Sequence, residues 1–167
     1  MSSLEEWNLV SADEAMAPVL ACCGSRAFAE RIIGARPYPE LDELLKKADE
    51  VWWSLGEADW LEAFACHPRI GESLSGGSHQ FSAWSQEEQA RAKAATTAVL
   101  DVIAEKNRDY EARHGFIYIV CASGRSADEL LGIVERRIGN STAVEIKEAA
   151  EQQRQITHLR LRKWLVL

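Results

Sequence analysis

The chain has 167 residues, 47% of them hydrophobic and 27% charged, with six Trp, 10 Gly and 4 Pro. That fits one folded domain with a sizeable core and excludes disordered, collagen-like and low-complexity classes. A formal net charge of -7 disfavours nucleic acid as a partner, and no apolar run approaches the roughly 20 residues of a membrane span.

The N-terminus, Met1-Ser2-Ser3-Leu4-Glu5-Glu6, has neither the basic nor the apolar region of a secretory signal. The cysteines Cys22, Cys23, Cys66 and Cys121 lack the spacing of a disulfide framework. A reducing cytoplasm is therefore expected, and Leu165-Val166-Leu167 is no peroxisomal address. No internal repeat or linker divides the chain, so residues 1–167 are read as one domain.

Helical periodicity dominates. Leu41, Leu44, Leu45, Ala48, Val51 and Trp52 form an amphipathic stripe that starts after Pro37 and Pro39 and stops before Gly56. A long helix is predicted over Ser85–His114 with Gly115 as its stop, another over Ala127–Ile138 ended by Gly139-Asn140, and a last one over Ala143–Leu161. Capping-box spacing occurs at Ser11/Glu14, Ser54/Glu57, Ser85/Glu88, Ser126/Glu129 and Thr142/Glu145. Only Phe116-Ile117-Tyr118-Ile119-Val120-Cys121 has strand character. A lone strand cannot satisfy its own ladder, so the expected fold is all-α, a single helical-bundle domain with one buried extended segment near 116–122.

Metal chemistry finds little support, because His67, His79, His114 and His158 are scattered without metal-ligand spacing. There is no phosphate loop and no nucleophile elbow. Arg160-Leu161-Arg162-Lys163 reads as the cationic last turn of a helix. The most unusual stretch is Trp60–Trp84. In Cys66-His67-Pro68-Arg69-Ile70-Gly71-Glu72, Pro68 forces His67 out of helical geometry and displays its imidazole on a loop. A polar residue that merely ends a helix is the plain alternative. Cys66 reads as a small packed side chain rather than a nucleophile, and the charges of Arg69 and Glu72 read as solvated, with tuning of His67 as the alternative. The helix start at Ser85-Gln86-Glu87-Glu88-Gln89 is a natural seat for an anion. Glu88 is either the reciprocal half of a capping box with Ser85 or a proton partner of His67.

These residues resemble the 2-oxo-4-hydroxy-4-carboxy-5-ureidoimidazoline (OHCU) decarboxylase family. The likeness rests on His67-Pro68-Arg69-Ile70-Gly71 and Ser85-x-x-Glu88-Gln89. It extends to Cys22-Cys23 with Ser25, Arg36-Pro37-Tyr38, Asp59-Trp60-Leu61, Tyr110, Gly115-Phe116, Gly124-Arg125-Ser126, Arg137-Ile138-Gly139-Asn140, Glu145, Ile156 and Arg160-Leu161. The resemblance implies an all-α, homodimeric, cofactor-free and metal-free carboxy-lyase of urate breakdown, which turns OHCU into (S)-allantoin and CO2. It places the catalytic pair on His67 and Glu88. It places substrate contacts on Pro68, on Ser85, Gln86, Glu87 and Gln89, on Tyr118, Ile119, Val120, Cys121 and Ala122, and on Arg160. The chain departs from the family at Ile117, where many members carry Pro after the Gly-Phe pair. A related lyase on the same scaffold, an inactive binding domain and a helical interaction module are the competing readings.

Overall fold

The computed structural model describes residues 3–69 and 97–166. Among them are eight helices and no strand: α1 (Ser3–Leu9), α2 (Ala12–Cys22), α3 (Arg26–Gly34), α4 (Leu41–Ser54), α5 (Glu57–Ala65), α6 (Thr97–His114), α7 (Ala127–Ile138) and α8 (Thr142–Leu165). The all-α expectation holds. No helix among the described residues is long and apolar enough to cross a membrane. The chain divides into two compact units, one of Met1–Ala63 with Gln153–Leu167, the other of Phe64–Gln152.

In the first unit, α4 buries the predicted stripe through Leu44, Leu45, Ala48, Val51 and Trp52. Each large side chain so covered contributes about 1.5–3 kcal/mol. Trp52 lies 6.3 Å from Phe28 and 6.0 Å from Trp60 between ring centroids, and the Trp60 indole N–H donates to the Trp52 carbonyl at 3.0 Å. Trp7 of α1 stacks on Tyr38 and meets Trp164 edge-on. The loop 35–40 is pinned beneath it. The Asn8 amide exchanges two hydrogen bonds with the Tyr38 backbone, the Tyr38 hydroxyl donates to the Ile32 carbonyl, and Arg36 donates to the carbonyls of Trp7 and Val10. Burial pushes the Tyr38 phenol up to about 12. Asp49 of α4 accepts from Arg154 and bonds His158 on α8 at 2.7 Å, and in this partly exposed cluster the Asp49–Arg154 ion pair is worth at most about 1 kcal/mol.

The second unit packs α6 against α7. Gly115 ends α6 at φ +80°, where its N–H donates to the Glu111 carbonyl. Phe116 through Val120 are all buried. The core here contains charge: Arg137 of α7 and Glu145 of α8, almost wholly inaccessible, pair at 2.8 Å. Glu145 also accepts from the Tyr110 hydroxyl at 2.7 Å and from Asn140 Nδ2 at 2.8 Å. The Arg137 guanidinium lies over the rings of Tyr118 and Tyr110, 4.7 and 5.7 Å from their centroids.

Several predicted boundaries move. The capping boxes at Ser11/Glu14 and Ser126/Glu129 form. Ser54 does not cap α5: it is the last residue of α4, donates to the Val51 carbonyl and accepts from Arg31, while the Gly56 carbonyl opens α5. Thr142 is already helical, and Ser141 caps α8 by accepting from the Val144 N–H. That frees Glu145 from capping and gives it to Arg137. Helix α8 continues to Leu165, four residues past the predicted end, so Arg160 is a fully buried mid-helix residue and the cationic last turn is Arg162 and Lys163. Of the predicted helix over Ser85–His114, the residues before Thr97 lie outside the described residues.

Removing one member of a buried pair strands the other charge, which typically costs about 3–5 kcal/mol. Glu145→Ala is therefore expected to lower the urea unfolding free energy by about that much, and a loss below about 1 kcal/mol would show that the pair is not load-sharing in the core.

Candidate active site

His67 sits two residues beyond the end of α5. Its N–H donates to the Phe64 carbonyl at 3.1 Å, a tightened final turn that Pro68 prevents from continuing as helix. His67, Pro68 and Cys66 are half-buried. Two contacts fix this turn within its unit. Phe64 meets Phe116 at 5.7 Å between ring centroids, joining the end of α5 to the start of the 116–122 segment. Arg69 makes a two-pronged pair with Glu111 of α6, at 3.0 and 2.9 Å. The expectation of a merely solvated Arg69 is thus corrected, since a planar guanidinium matched to a carboxylate fixes direction as well as charge.

The predicted contact residues Tyr118, Ile119, Val120 and Ala122 are buried and Cys121 is half-buried. Among the described residues the segment has no neighbouring strand, and side chains bond its backbone. Arg137 Nη1 donates to the Ile119 carbonyl at 2.6 Å, Gln152 Oε1 accepts from the Cys121 N–H at 2.9 Å, and Arg125 Nε donates to the Cys121 carbonyl at 3.2 Å. Burial pushes the Tyr118 phenol up to about 12 against the opposing pull of Arg137, so it stays a neutral hydroxyl.

His67, Pro68 and residues 118–122 fall in the unit Phe64–Gln152, whereas Arg160 belongs to the other unit. Within its own unit Arg160 acts on Cys22. Burial raises that thiol well above its ordinary range, and the guanidinium opposes the rise without overcoming it. Ser85, Gln86, Glu87, Glu88 and Gln89 lie outside the described residues, as do Glu72 and Trp84. No group of three or more metal-ligating side chains occurs among the described residues.

Sequence reasoning places Glu145 in a capping box and Arg137 only within the family likeness, and gives Gln152 no role. A signal existed for the charged pair. Arg137 continues the buried stripe of Leu130 and Val134, and Glu145 opens that of Ala149 and Ile156. Opposite charges on two apolar stripes point to each other, because neither tolerates burial alone.

An all-helical fold with a half-buried imidazole at a Pro-broken helix end fits acid–base enzymes of small substrates. The family comparison names the class. Residues 8–162 match the family model described as OHCU decarboxylase. The uric acid degradation bifunctional protein TTL of Arabidopsis thaliana is 39% identical over 145 residues, 85% of this chain and 44% of that protein. The 2-oxo-4-hydroxy-4-carboxy-5-ureidoimidazoline decarboxylase of Haloferax volcanii is 25% identical over 80% of this chain and 77% of its own length. Among solved structures, an OHCU decarboxylase crystallised in the presence of (S)-allantoin superposes with a TM-score of 0.74 at 36% identity, covering 86% of this chain and 94% of that one. The chain belongs to the OHCU decarboxylase family. It spans less than half the length of the bifunctional relatives from Arabidopsis thaliana and a Bacillus species.

One titratable group near this segment sets a pH limit. His114 is buried, its Nδ1 2.8 Å from Thr142 Oγ1 and its ring against Tyr110 and Phe116. Burial holds its pKa below the ordinary 6.5, Glu145 opposes that, and the positive charges of Arg113 and Arg137 reinforce it. A depressed histidine contributes stability that is present above its unfolded pKa and lost as pH falls through the folded one. The melting temperature of the wild type is expected to drop below about pH 6.5 more steeply than that of His114→Gln. Parallel pH profiles for the two proteins would count against this assignment.

Proposed function

We propose that the chain catalyses the cofactor-independent decarboxylation of OHCU to (S)-allantoin and CO2, and that residues 8–162 act as one functional domain. The observation that carries the reading is the family match across both compact units, which includes the His67-Pro68 turn and the 118–122 segment. The 36% identical structure obtained with (S)-allantoin supports the product.

The substrate explains why side chains suffice. Its ring imine adjoins the carbon that bears the carboxylate and a hydroxyl. When the bond to the carboxylate breaks, CO2 leaves and the electron pair moves toward the imine nitrogen, which takes a proton. The hydroxyl then gives up its proton as it becomes a carbonyl, and the former imine carbon takes a proton on one face. In this reading His67 is the general acid that delivers that last proton, since an imidazole with a pKa near ~6.5 can hold and give a proton at neutral pH. Glu88 orients His67 or accepts the hydroxyl proton. Pro68 and the peptide groups of residues 118–122 bind the ring and ureido group, Ser85, Gln86, Glu87 and Gln89 take the anionic end, and Arg160 binds a carboxylate or carbonyl oxygen.

A homodimer is part of this reading, supported by the family resemblance and by the exposure of Trp53 and Leu61. Sedimentation at twice the chain mass is the expected result, and a monomer at assay concentrations removes it. A cytoplasmic location belongs to the same reading, argued from cysteine spacing that fits no disulfide framework.

The activity is tested by generating OHCU in situ from urate with urate oxidase and hydroxyisourate hydrolase, adding this protein, and following optical activity by circular dichroism. Rapid appearance of (S)-allantoin is expected, with His67→Asn slower by on the order of 10²–10⁴-fold and still folded. Racemic product at the uncatalysed rate with wild type would defeat the reading. Near-wild-type turnover by His67→Asn would remove His67 as the acid.

A further inference from the structure

A non-helical segment that has no neighbouring strand among the described residues must find partners for its peptide groups elsewhere. In extended backbone, the C=O of residue i and the N–H of residue i+2 face the same side. Arg137 and Gln152 take that pair from the 116–122 segment: Arg137 Nη1 donates to the Ile119 carbonyl and Gln152 Oε1 accepts from the Cys121 N–H. Among the described residues, no hydrogen bond engages the peptide N–H or C=O of Val120, which lies between the two anchored residues.

The two anchors are themselves fixed. Arg137 is locked by Glu145 and by the faces of Tyr118 and Tyr110. Gln152 is oriented by Glu148, one turn earlier on α8, whose carboxylate accepts from Gln152 Nε2 at 3.2 Å. A carboxylate only accepts, so it forces the amide nitrogen toward itself and turns the amide oxygen to Cys121. That makes Gln152 more than packing, because the polarity of its amide is specified from behind.

We propose that Gln152, oriented by Glu148, is a positioning residue for substrate binding. Together with Arg137 it fixes the backbone from Ile119 to Cys121 and so holds the Val120 peptide groups in place to meet the ligand. This rests on the reading that residues 118–122 line the substrate site of an OHCU decarboxylase. The interaction acts on binding rather than on proton delivery, so its loss raises KM and leaves kcat nearly unchanged.

The test is steady-state kinetics on OHCU for wild type, Gln152→Leu, Gln152→Glu and the exchange Glu148→Gln/Gln152→Glu, with melting temperatures measured alongside. Gln152→Leu removes the acceptor, and Gln152→Glu sets two carboxylates against each other. Each is expected to raise KM about tenfold, with kcat within about twofold and an unshifted pH profile of kcat. The exchange restores the arrangement with the roles reversed, the amide at 148 donating to a carboxylate at 152 that still accepts from Cys121. It is expected to bring KM back to within about twofold of wild type. Unchanged KM in Gln152→Leu, or a KM rise that the exchange leaves unrepaired, overturns the proposal while the decarboxylase reading stands. A wild type inactive on OHCU overturns that reading first, and the proposal falls with it.

Discussion

The ion pair between Arg137 and Glu145 is the constraint on which the unit Phe64–Gln152 depends. Two charges removed from water cost several kcal/mol each, and their attraction repays that only when every remaining donor and acceptor is met. Here Glu145 accepts from Arg137, Tyr110 and Asn140, and Arg137 spends a further N–H on the Ile119 carbonyl. Apolar residues of similar volume often stabilise a core as well as such a pair does. They could not bond the Ile119 carbonyl, which Arg137 does. The charge is kept where the backbone needs a donor, and the carboxylate is kept so that the donor can be buried.

Much of this architecture was legible because it is local. The stripe of α4, the Gly115 stop and the capping boxes at Ser11 and Ser126 depend on residues within a turn or two of one another, and they form as the spacing predicts. The misreadings arose where a local pattern competed with a distant partner. Glu145 lies three residues after Thr142, the spacing of a capping box, yet Ser141 is the cap and Glu145 turns inward to Arg137. Ser54 has the same spacing to Glu57, but Arg31 and the Val51 carbonyl claim its hydroxyl. Arg160 looked like the end of a helix because Arg and Lys cluster there, while burial of Ile156, Leu161 and Leu165 carries α8 further.

The candidate site divides along the same line. His67 could be read because Pro68 breaks a helix at a fixed place, a covalent constraint that needs no partner. Arg69 could not, since its direction depends on Glu111, 42 residues away. Gln152 is silent in the sequence for the same reason: an amide on a polar-rich helix has no address until Glu148 behind it and Cys121 before it are both in place.

The departure at Ile117 becomes intelligible in these terms. Where relatives of the resembled family carry Pro, the ring itself narrows the backbone by fixing φ. This chain has Ile at 117 and lacks that restriction, yet its neighbours Phe116 and Tyr118 are buried against Tyr110, at 5.7 and 5.2 Å between ring centroids, and the peptide groups at 119 and 121 are tied to α7 and α8. A torsional restriction at one residue is thereby replaced by packing on either side of it and by two hydrogen bonds just beyond it. A segment anchored at 119 and 121 is held in place whether residue 117 is stiff or not.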